Sequence, residues 1–478
     1  MKRPLISLTA LLFYGSVAAL SGPEHDFEYY RQRGNQLCQE DRLEEAIEPY
    51  KVAVQLQPKN IHAMMDLANA YHMLNHNIEA LETYKTILEI NPRAITALYN
   101  FGFTLKRMGC IEQTLAVYEQ VLALKPDYPS ARFSRSTLYL TMGDLERGFE
   151  EYEWRWKVYN ETTQRFNCPM WEGQDLTDHT LLVHAEQGLG DTFQFVRYLK
   201  LLKERFPTLT IVLESQNQLI TLLTQQPYID RVIARNEQPP FAHYQIPLMS
   251  IPRVVKTTLE TIPAQTPYLQ IDGPLTQEWK KKLADDHHLK VGICWHGNAQ
   301  YRTASLRRAV IAKSVTLALL EPLSTIEGVT LYSLQRVTGE DQINECSFKA
   351  KMVVFDISFD QQHGRFMDTA AVMKNLDLVI TVDTGTAHLA GALNVPTWIM
   401  LPFPADWRWL RNRTDSPWYP TVRLFQQTKT GEWEPVIKQI AEKLKTLVAQ
   451  RTQGASVHPS EPTKQQLQFF KQVVNSAL

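Results

Sequence analysis

The sequence predicts a multidomain protein in which an all-α repeat solenoid precedes an α/β region of two doubly wound domains. Pro58, Pro92 and Pro126 recur at a spacing of 34 residues, and each closes a similar helix-pair pattern. Beyond Trp171, short apolar runs alternate with helix-like segments, which is typical of parallel sheets with crossover helices. This alternation occurs twice, separated by a proline-dotted stretch over residues 239–274, so we expect two such domains.

The composition predicts a globular chain without a strong net field. The 478 residues suit about three packed units. Because 50 Lys and Arg balance 51 Asp and Glu, no net charge favours nucleic acid or an anionic bilayer. The five cysteines are scattered and have no histidines at metal-ligand spacing, so we expect a reducing compartment and no metal site.

The N-terminus has features of a targeting segment. Lys2 and Arg3 precede an apolar run over residues 5–20, so residues 1–24 fit a signal or membrane anchor. The alternative is a leading helix that packs on the first repeat. We expect a cytoplasmic protein, with membrane association through residues 1–24 left open.

The repeat array is predicted over residues 25–160, with three full repeats and a capping repeat. Gly34 marks the point where two helices approach closely, and Tyr50 faces inward from the second helix. The fourth unit ends in a Trp154-containing segment instead of a proline-stopped helix, which predicts a cap that docks on the next domain. The array resembles the tetratricopeptide family, a resemblance that implies docking of a protein partner or acceptor.

The α/β part is divided into a first domain over 171–274, a second over 275–450, and a linker with a short tail helix over 451–478. The first domain has predicted strands at 180–185, 210–214 and 231–234 and a helix at 192–205. The second has predicted strands at 290–295, 330–334, 353–357, 378–382 and 397–401, a helix from His388, and a closing helix at 435–449.

The loop after the first predicted strand is the first candidate site. Gly188 and Gly190 allow a tight turn at the carboxyl edge of the sheet, where open α/β sheets bind ligands. Asp191 at the following helix start would project into that crevice and could take a proton, with Gln187 beside it. The alternative is that Asp191 only caps the helix.

A second strand-turn-helix corner predicts a phosphate cradle. Gly385 lets the backbone approach an anion, the helix N-terminus attracts it, and Thr384 and Thr386 can donate hydroxyls. Asp383 precedes this turn, and His388 adds a switchable donor. The alternative is a plain N-capped helix.

Two further stretches are candidates for ligand contact. Arg302, Arg307 and Arg308 follow the strand at 290–295, where guanidinium groups would suit a diphosphate, although a solvated basic loop is the alternative. The aromatic-rich stretch 402–419 suits packing and ligand contact equally.

These patches, in this order, resemble the heptosyltransferase-like family-nine glycosyltransferases over about residues 171–449. The resemblance implies a GT-B architecture of two Rossmann-like domains, with the acceptor on the first and the nucleotide sugar on the second. It implies that Asp191 is the candidate base and that Asp383, Thr384, Gly385 and His388 bind the donor. It also implies a basic residue after the first strand of the second domain, for which Arg302, Arg307 and Arg308 are candidates.

The resulting hypothesis is a metal-independent, inverting glycosyltransferase with no cofactor besides its nucleotide-sugar substrate. The repeats would dock a protein or glycan acceptor. The alternative is a repeat-based interaction protein whose GT-B module is a non-catalytic scaffold.

Overall fold

The computed structural model describes residues 26–159, 166–300 and 303–452. The segment predicted as a signal or anchor, Arg302 and the tail beyond residue 452 lie outside these ranges. The described residues form two compact units, the first ending at Thr104 and the second beginning at Leu105. None of the helices in the described ranges is long and apolar enough to cross a membrane.

The first unit consists of antiparallel helix pairs that bury small and aromatic residues between them. A Cβ built on Gly34 would lie 2.5 Å from the Tyr50 ring, so the close helix approach predicted at this glycine is confirmed. Asn60 begins its helix by accepting hydrogen bonds from two backbone N–H groups. The helices are α1 Phe27–Gln39, α2 Leu43–Leu56, α3 Ile61–Met73, α4 Asn77–Ile90 and α5 Ile95–Arg107, the last of which continues into the second unit.

The second unit begins with the remaining repeat helices. Two rings of these repeat helices, Phe149 and Tyr152, pack on Trp407 of the α/β region, each with its centroid 5.9 Å away. Trp154, by contrast, lies against the cationic groups of Arg132 and Lys157. The helices are α6 Ile111–Leu124, α7 Pro129–Met142, α8 Leu145–Tyr152 and α9 Arg155–Val158.

The first sheet is parallel, with strand order β3-β2-β1-β4. Its strand β4 was not predicted, because it has only four residues and ends at Pro247. It lies within the proline-dotted stretch 239–274, where the sequence shows no periodicity. The predicted helix at 192–205 is divided at Val196 into two helices. The elements are β1 Thr180–His184, α10 Leu189–Phe195, α11 Arg197–Arg205, β2 Thr210–Ser215, α12 Ile220–Thr224, β3 Arg231–Ala234, β4 Tyr244–Pro247 and α13 Ile251–Val254.

The second sheet is also parallel, with strand order β10-β9-β8-β5-β6-β7. The predicted strand at 353–357 is wrong beyond Val353, because the chain leaves the sheet edge and exposes Ile357 to solvent. The helix predicted from His388 begins at Gly385. The elements are α14 Gly273–Lys282, β5 Leu289–Cys294, α15 Ala304–Ala312, α16 Glu321–Ser324, β6 Val329–Ser333, α17 Gln342–Glu345, β7 Met352–Val353, α18 Met367–Met373, β8 Leu378–Val382, α19 Gly385–Ala392, β9 Thr397–Leu401, β10 Val422–Gln426 and α20 Glu434–Thr452.

Two features of this topology position the candidate site. In the first sheet β1 lies between β2 and β4, and in the second sheet β8 lies between β5 and β9. The loops that follow β1 and β8 begin at the carboxyl ends of parallel strands, where open α/β sheets bind ligands. The core of the second unit is continuous across both sheets, and it includes Phe193 from the first and Ala387 from the second.

Candidate active site

The loop between β1 and α10 presents a carboxylate at a helix N-terminus. Gly188 is the residue before the helix, and its N–H donates to Asp191 Oδ2 at 2.8 Å. The helix-capping contact that was the alternative for Asp191 is therefore present. It occupies only one carboxylate oxygen, so capping and a further role are compatible.

The turn between β8 and α19 faces this loop across the second unit. A Cβ built on Gly190 would lie 3.0 Å from His388 Cδ2 and 3.4 Å from the Gly385 Cα. A side chain at position 190 would therefore press on the facing turn, which shows how closely the two turns approach. The start of α19 lies beside the loop that holds Asp191, since the same Cβ on Gly190 would lie 3.6 Å from the backbone nitrogen of Gly385.

A single cavity of about 720 Å³ joins the two turns. Its volume lies in the range of ordinary small-molecule sites. It brings together all the predicted residues of both turns, which are Gln187, Gly188, Gly190, Asp191, Asp383, Thr384, Gly385, Thr386 and His388. Their assignment to catalysis, acceptor contact and donor binding stays a prediction.

Asp191 is paired with a cation that the sequence did not single out. Arg408 Nη2 donates to Asp191 Oδ1 at 2.5 Å, and Arg408 also binds the Asp406 carboxylate through its backbone N–H and Nη1. Although burial opposes the charge, Asp406 and Asp191 hold the pKa of Arg408 well above its ordinary value. Arg408 is therefore a permanent positive charge in the cavity wall.

A second cation faces the predicted phosphate cradle. Lys313 Nζ lies 3.5 Å from Asp383 Oδ2, and this carboxylate raises the pKa of the lysine. Lys313 lines the cavity, whereas Arg307 and Arg308, five or six residues earlier, are not among its lining residues. Arg307 as a donor contact stays a prediction, and Arg302 is not described.

His388 is buried and cannot serve as a cation. Burial, with the nearby charge of Arg408, lowers its pKa well below 6.5. Its ring stacks on Trp409 with centroids 5.1 Å apart, and its Nδ1 lies 2.8 Å from the hydroxyl of Tyr419. Neutral imidazole carries one N–H, so His388 can offer a ligand at most one hydrogen bond.

The aromatic stretch at 402–419 serves mainly to pack the site. Trp407, Trp409 and Trp418 are buried, and none of the three lines the cavity. The residues of this stretch that do line it are Asp406 and Arg408. In the sequence, Asp406 and Arg408 alternate with Trp407 and Trp409, and this alternation of charged and aromatic residues is the pattern that could have indicated them.

The repeat cap holds the loop that precedes Asp191. Arg155 binds both carboxylate oxygens of Glu186, through Nε at 2.7 Å and Nη2 at 2.8 Å. One residue later, Gln187 Nε2 donates to the hydroxyl of Tyr152 at 3.1 Å. The loop therefore has two supports from helices α8 and α9.

Metal chemistry has no evident ligand set here. In the described ranges, no group of three or more His, Cys, Asp and Glu side chains could hold a metal ion. The cations of this cavity are side chains, and Lys313 and Arg408 are two of them.

Family models match one segment in each part of the chain. Residues 34–75 match the family TPR repeat, and residues 365–399 match Glycosyltransferase family 9 (heptosyltransferase). The second match includes Asp383 and the whole of α19.

A curated relative also spans much of the chain. Protein FlbA of Caulobacter vibrioides is 27% identical over 322 residues, which is 63% of this chain. The match covers 52% of FlbA, so the chain spans about half the length of this relative.

Two solved structures are each similar to a portion of the chain. The ADP-heptose LPS heptosyltransferase II of E. coli is 13% identical over 57% of this chain and 99% of its own, with a TM-score of 0.41. MamA is 20% identical over 29% of this chain and 81% of its own, with a TM-score of 0.27. The chain is therefore similar to the TPR repeat family over residues 34–75 and to Glycosyltransferase family 9 (heptosyltransferase) over residues 365–399.

Proposed function

We propose that the protein transfers a glycosyl group from a nucleotide sugar to an acceptor hydroxyl without a metal ion. The observation that carries this proposal is the single cavity lined by the Asp191 loop on one side and the Asp383–His388 turn on the other. A carboxylate opposite an anion-binding helix start is the pairing that such a transfer requires.

The donor diphosphate would bind at the start of α19. Backbone N–H groups of the first helical turn and the Thr384 and Thr386 hydroxyls point to this region as an anion site. Lys313 supplies a protonated ammonium nearby, which supports stabilisation of the departing nucleoside diphosphate. His388 would add a neutral N–H rather than a charge.

The acceptor hydroxyl would be activated by Asp191. Its carboxylate would take the hydroxyl proton while the oxygen attacks the anomeric carbon, and the nucleoside diphosphate would leave from the opposite face. That geometry inverts the anomeric configuration. Arg408 would orient Asp191, because its guanidinium binds one carboxylate oxygen and is itself fixed by Asp406.

One observation favours the alternative of a non-catalytic module. Asp191 already makes two structural contacts, with Gly188 and with Arg408, so the carboxylate has a use without catalysis. A non-catalytic scaffold would retain those contacts. It would either bind nucleotides without turning over a donor, or it would show no nucleotide binding and no turnover.

The test compares Asp191→Asn with the wild-type chain on a panel of UDP-, GDP- and ADP-linked sugars. Asparagine keeps a capping oxygen and loses the base, so we expect turnover to fall by about 10²- to 10⁴-fold. A nucleoside diphosphate should still raise the melting temperature of both proteins, because it binds the folded state.

Asp144→Asn is the control, since the Asp144 side chain also makes a helix-capping contact, accepting from the Arg147 N–H at the start of α8, and lies outside the cavity. It should keep wild-type turnover. Wild-type activity in Asp191→Asn, or no turnover of any donor by the wild-type chain, would contradict the proposal.

A further inference from the structure

The acceptor side of the cavity carries a set of amide side chains that donor binding does not use. Asn217 and Gln218 follow β2, and Asn236 follows β3. All three are exposed and line the cavity on the first-sheet side, together with Arg235. Because β2 and β3 are adjacent parallel strands, their carboxyl ends place these side chains along one rim.

We call Asn217, Gln218, Arg235 and Asn236 the amide rim, and its side chains have hydrogen-bonding groups available to a ligand. Within the described residues, the side chains of Asn217, Gln218 and Asn236 make no hydrogen bond to the protein. Arg235 donates to the Ala185 carbonyl at 3.1 Å and has no carboxylate partner in the described ranges. Four side chains are therefore ready to bind a ligand by hydrogen bonds.

Carboxamides are complementary to a peptide backbone. Each presents an acceptor oxygen and a donor nitrogen in one plane, matching the N–H and C=O of a peptide group. An extended peptide repeats these groups along its length, so several carboxamides on one rim can bind it without regard to most side chains.

The remaining composition of this wall argues against two other acceptors. An anionic saccharide or a lipid phosphate calls for several cations, and Arg235 is the one cation that the loops after β2 and β3 contribute to the described lining. The other cations that line the cavity belong to the second-sheet side, and they are Lys313, Arg336, Arg365 and Arg408. A neutral sugar ring usually stacks on an aromatic side chain, and these loops bring no aromatic residue to the described lining, to which Phe366 contributes its ring from the segment before α18.

The repeat helices adjoin the same wall. Tyr152 of α8 hydrogen-bonds Gln187, which lines the cavity next to this rim. Helical repeats present extended surfaces that suit extended polypeptides. A chain bound by the cap of the array could therefore continue to the amide rim within one compact unit.

We infer that the acceptor is a serine or threonine hydroxyl in an extended polypeptide segment held by the amide rim. This inference rests on the proposed glycosyl transfer. The hydroxyl oxygen forms the new bond to the anomeric carbon, the bond between that carbon and the diphosphate breaks, and the nucleoside diphosphate leaves with the electron pair. The hydroxyl proton passes to Asp191.

The experiment offers the full chain each donor with two acceptor sets. One set is randomised peptides with a single central serine or threonine, and the other is neutral oligosaccharides and lipid-linked saccharides. Mass spectrometry measures glycosyl addition to each set, and a coupled assay measures release of nucleoside diphosphate. We expect glycosylated peptides.

The two proposals fail in distinguishable ways. Transfer to saccharides alone, or release of nucleoside diphosphate without peptide modification, overturns the polypeptide acceptor and leaves the proposed transferase standing. No release with any donor, and no stabilisation by a nucleoside diphosphate, overturns both.

Variants of the rim test the assignment of the residues. Asn217→Leu and Gln218→Leu should each raise the KM for peptide by about 2- to 10-fold, the loss expected for one or two neutral hydrogen bonds. kcat at saturating peptide should stay within about 2-fold, since neither residue contacts the reacting atoms. Gln265→Leu is the control, because Gln265 is exposed and outside the cavity. An unchanged KM in both rim variants would overturn the assignment.

Discussion

Removing the charge of Arg155 should destabilise the second unit more than any surface ion-pair substitution. The guanidinium is 1% exposed and binds Glu186 through two nitrogens, while Nη1 binds Glu153 at 2.7 Å. In Arg155→Met, Glu186 loses the cation that opposes the rise of its pKa by burial, in a site where its side chain is only 10% exposed. Breaking one partner of a buried pair costs about 3–5 kcal/mol, so we expect a loss of this size in the free energy of unfolding.

A double-mutant cycle separates the ion pair from simple loss of packing. Glu186→Gln combined with Arg155→Met removes both charges, so the double variant should be more stable than the sum of the single losses predicts. We expect a coupling energy of about 1–3 kcal/mol. Arg231→Met is the control, because Arg231 and Glu237 form an exposed pair that should contribute at most about 1 kcal/mol.

Urea unfolding followed by tryptophan fluorescence suits this measurement. All ten tryptophans follow Thr104, so the signal reports the second unit without the first. Additive losses within about 0.5 kcal/mol, or a loss below about 1 kcal/mol in Arg155→Met, would show that the bidentate contact does not support the loop.

Three further predictions concern the cavity and its surroundings. Gly391→Ala places a Cβ 2.4 Å from the buried ring of Tyr419, so it should cost about 1–3 kcal/mol by urea unfolding, whereas Gly273→Ala meets no atom within 4 Å and should be nearly neutral. Lys313→Met removes a protonated ammonium from the proposed diphosphate site, so calorimetry should show nucleoside diphosphate binding weakened by about 10- to 100-fold, and equal affinity would exclude this lysine. The lowered pKa of His388 means that, as pH falls below 6.5, the unfolded chain takes up a proton at this residue and the folded protein does not. The free energy of unfolding should therefore fall by up to about 1.4 kcal/mol per pH unit below pH 6.5. His388→Gln should remove this slope, and an unchanged slope in the variant would show that other groups cause it.

Central strands were the part of the fold most accessible from sequence. The predicted bounds of β8 and β9 match the structure, because both strands are buried on both faces and appear as apolar runs. The unpredicted strands β4 and β10 lie at sheet edges. An edge strand has fewer neighbours, so polar residues such as Arg423 can interrupt its apolar pattern.

The backbone of the site was predictable to a greater degree than its charges. Strand, glycine turn and helix are local patterns, and they placed Asp191 and Gly385 at the edges that share the cavity. Arg408 lies 217 residues from Asp191 along the chain, and nothing local to either residue indicates their contact. Lys313 likewise follows α15, and the two arginines within that helix, Arg307 and Arg308, indicated a diphosphate site more strongly from sequence than a single lysine did.

Long-range support explains how a glycine-rich loop can hold a carboxylate in place. Gly188 and Gly190 reduce the steric limits on the backbone, so the loop alone would sample many conformations. Arg155 binds Glu186, Tyr152 binds Gln187 and Arg408 binds Asp191, so its contacts come from the repeat cap and from the loop after β9. In the proposed transferase, the repeats of the second unit would therefore contribute to the geometry of the base as well as to acceptor docking, because the loop that carries Asp191 has few internal restraints of its own.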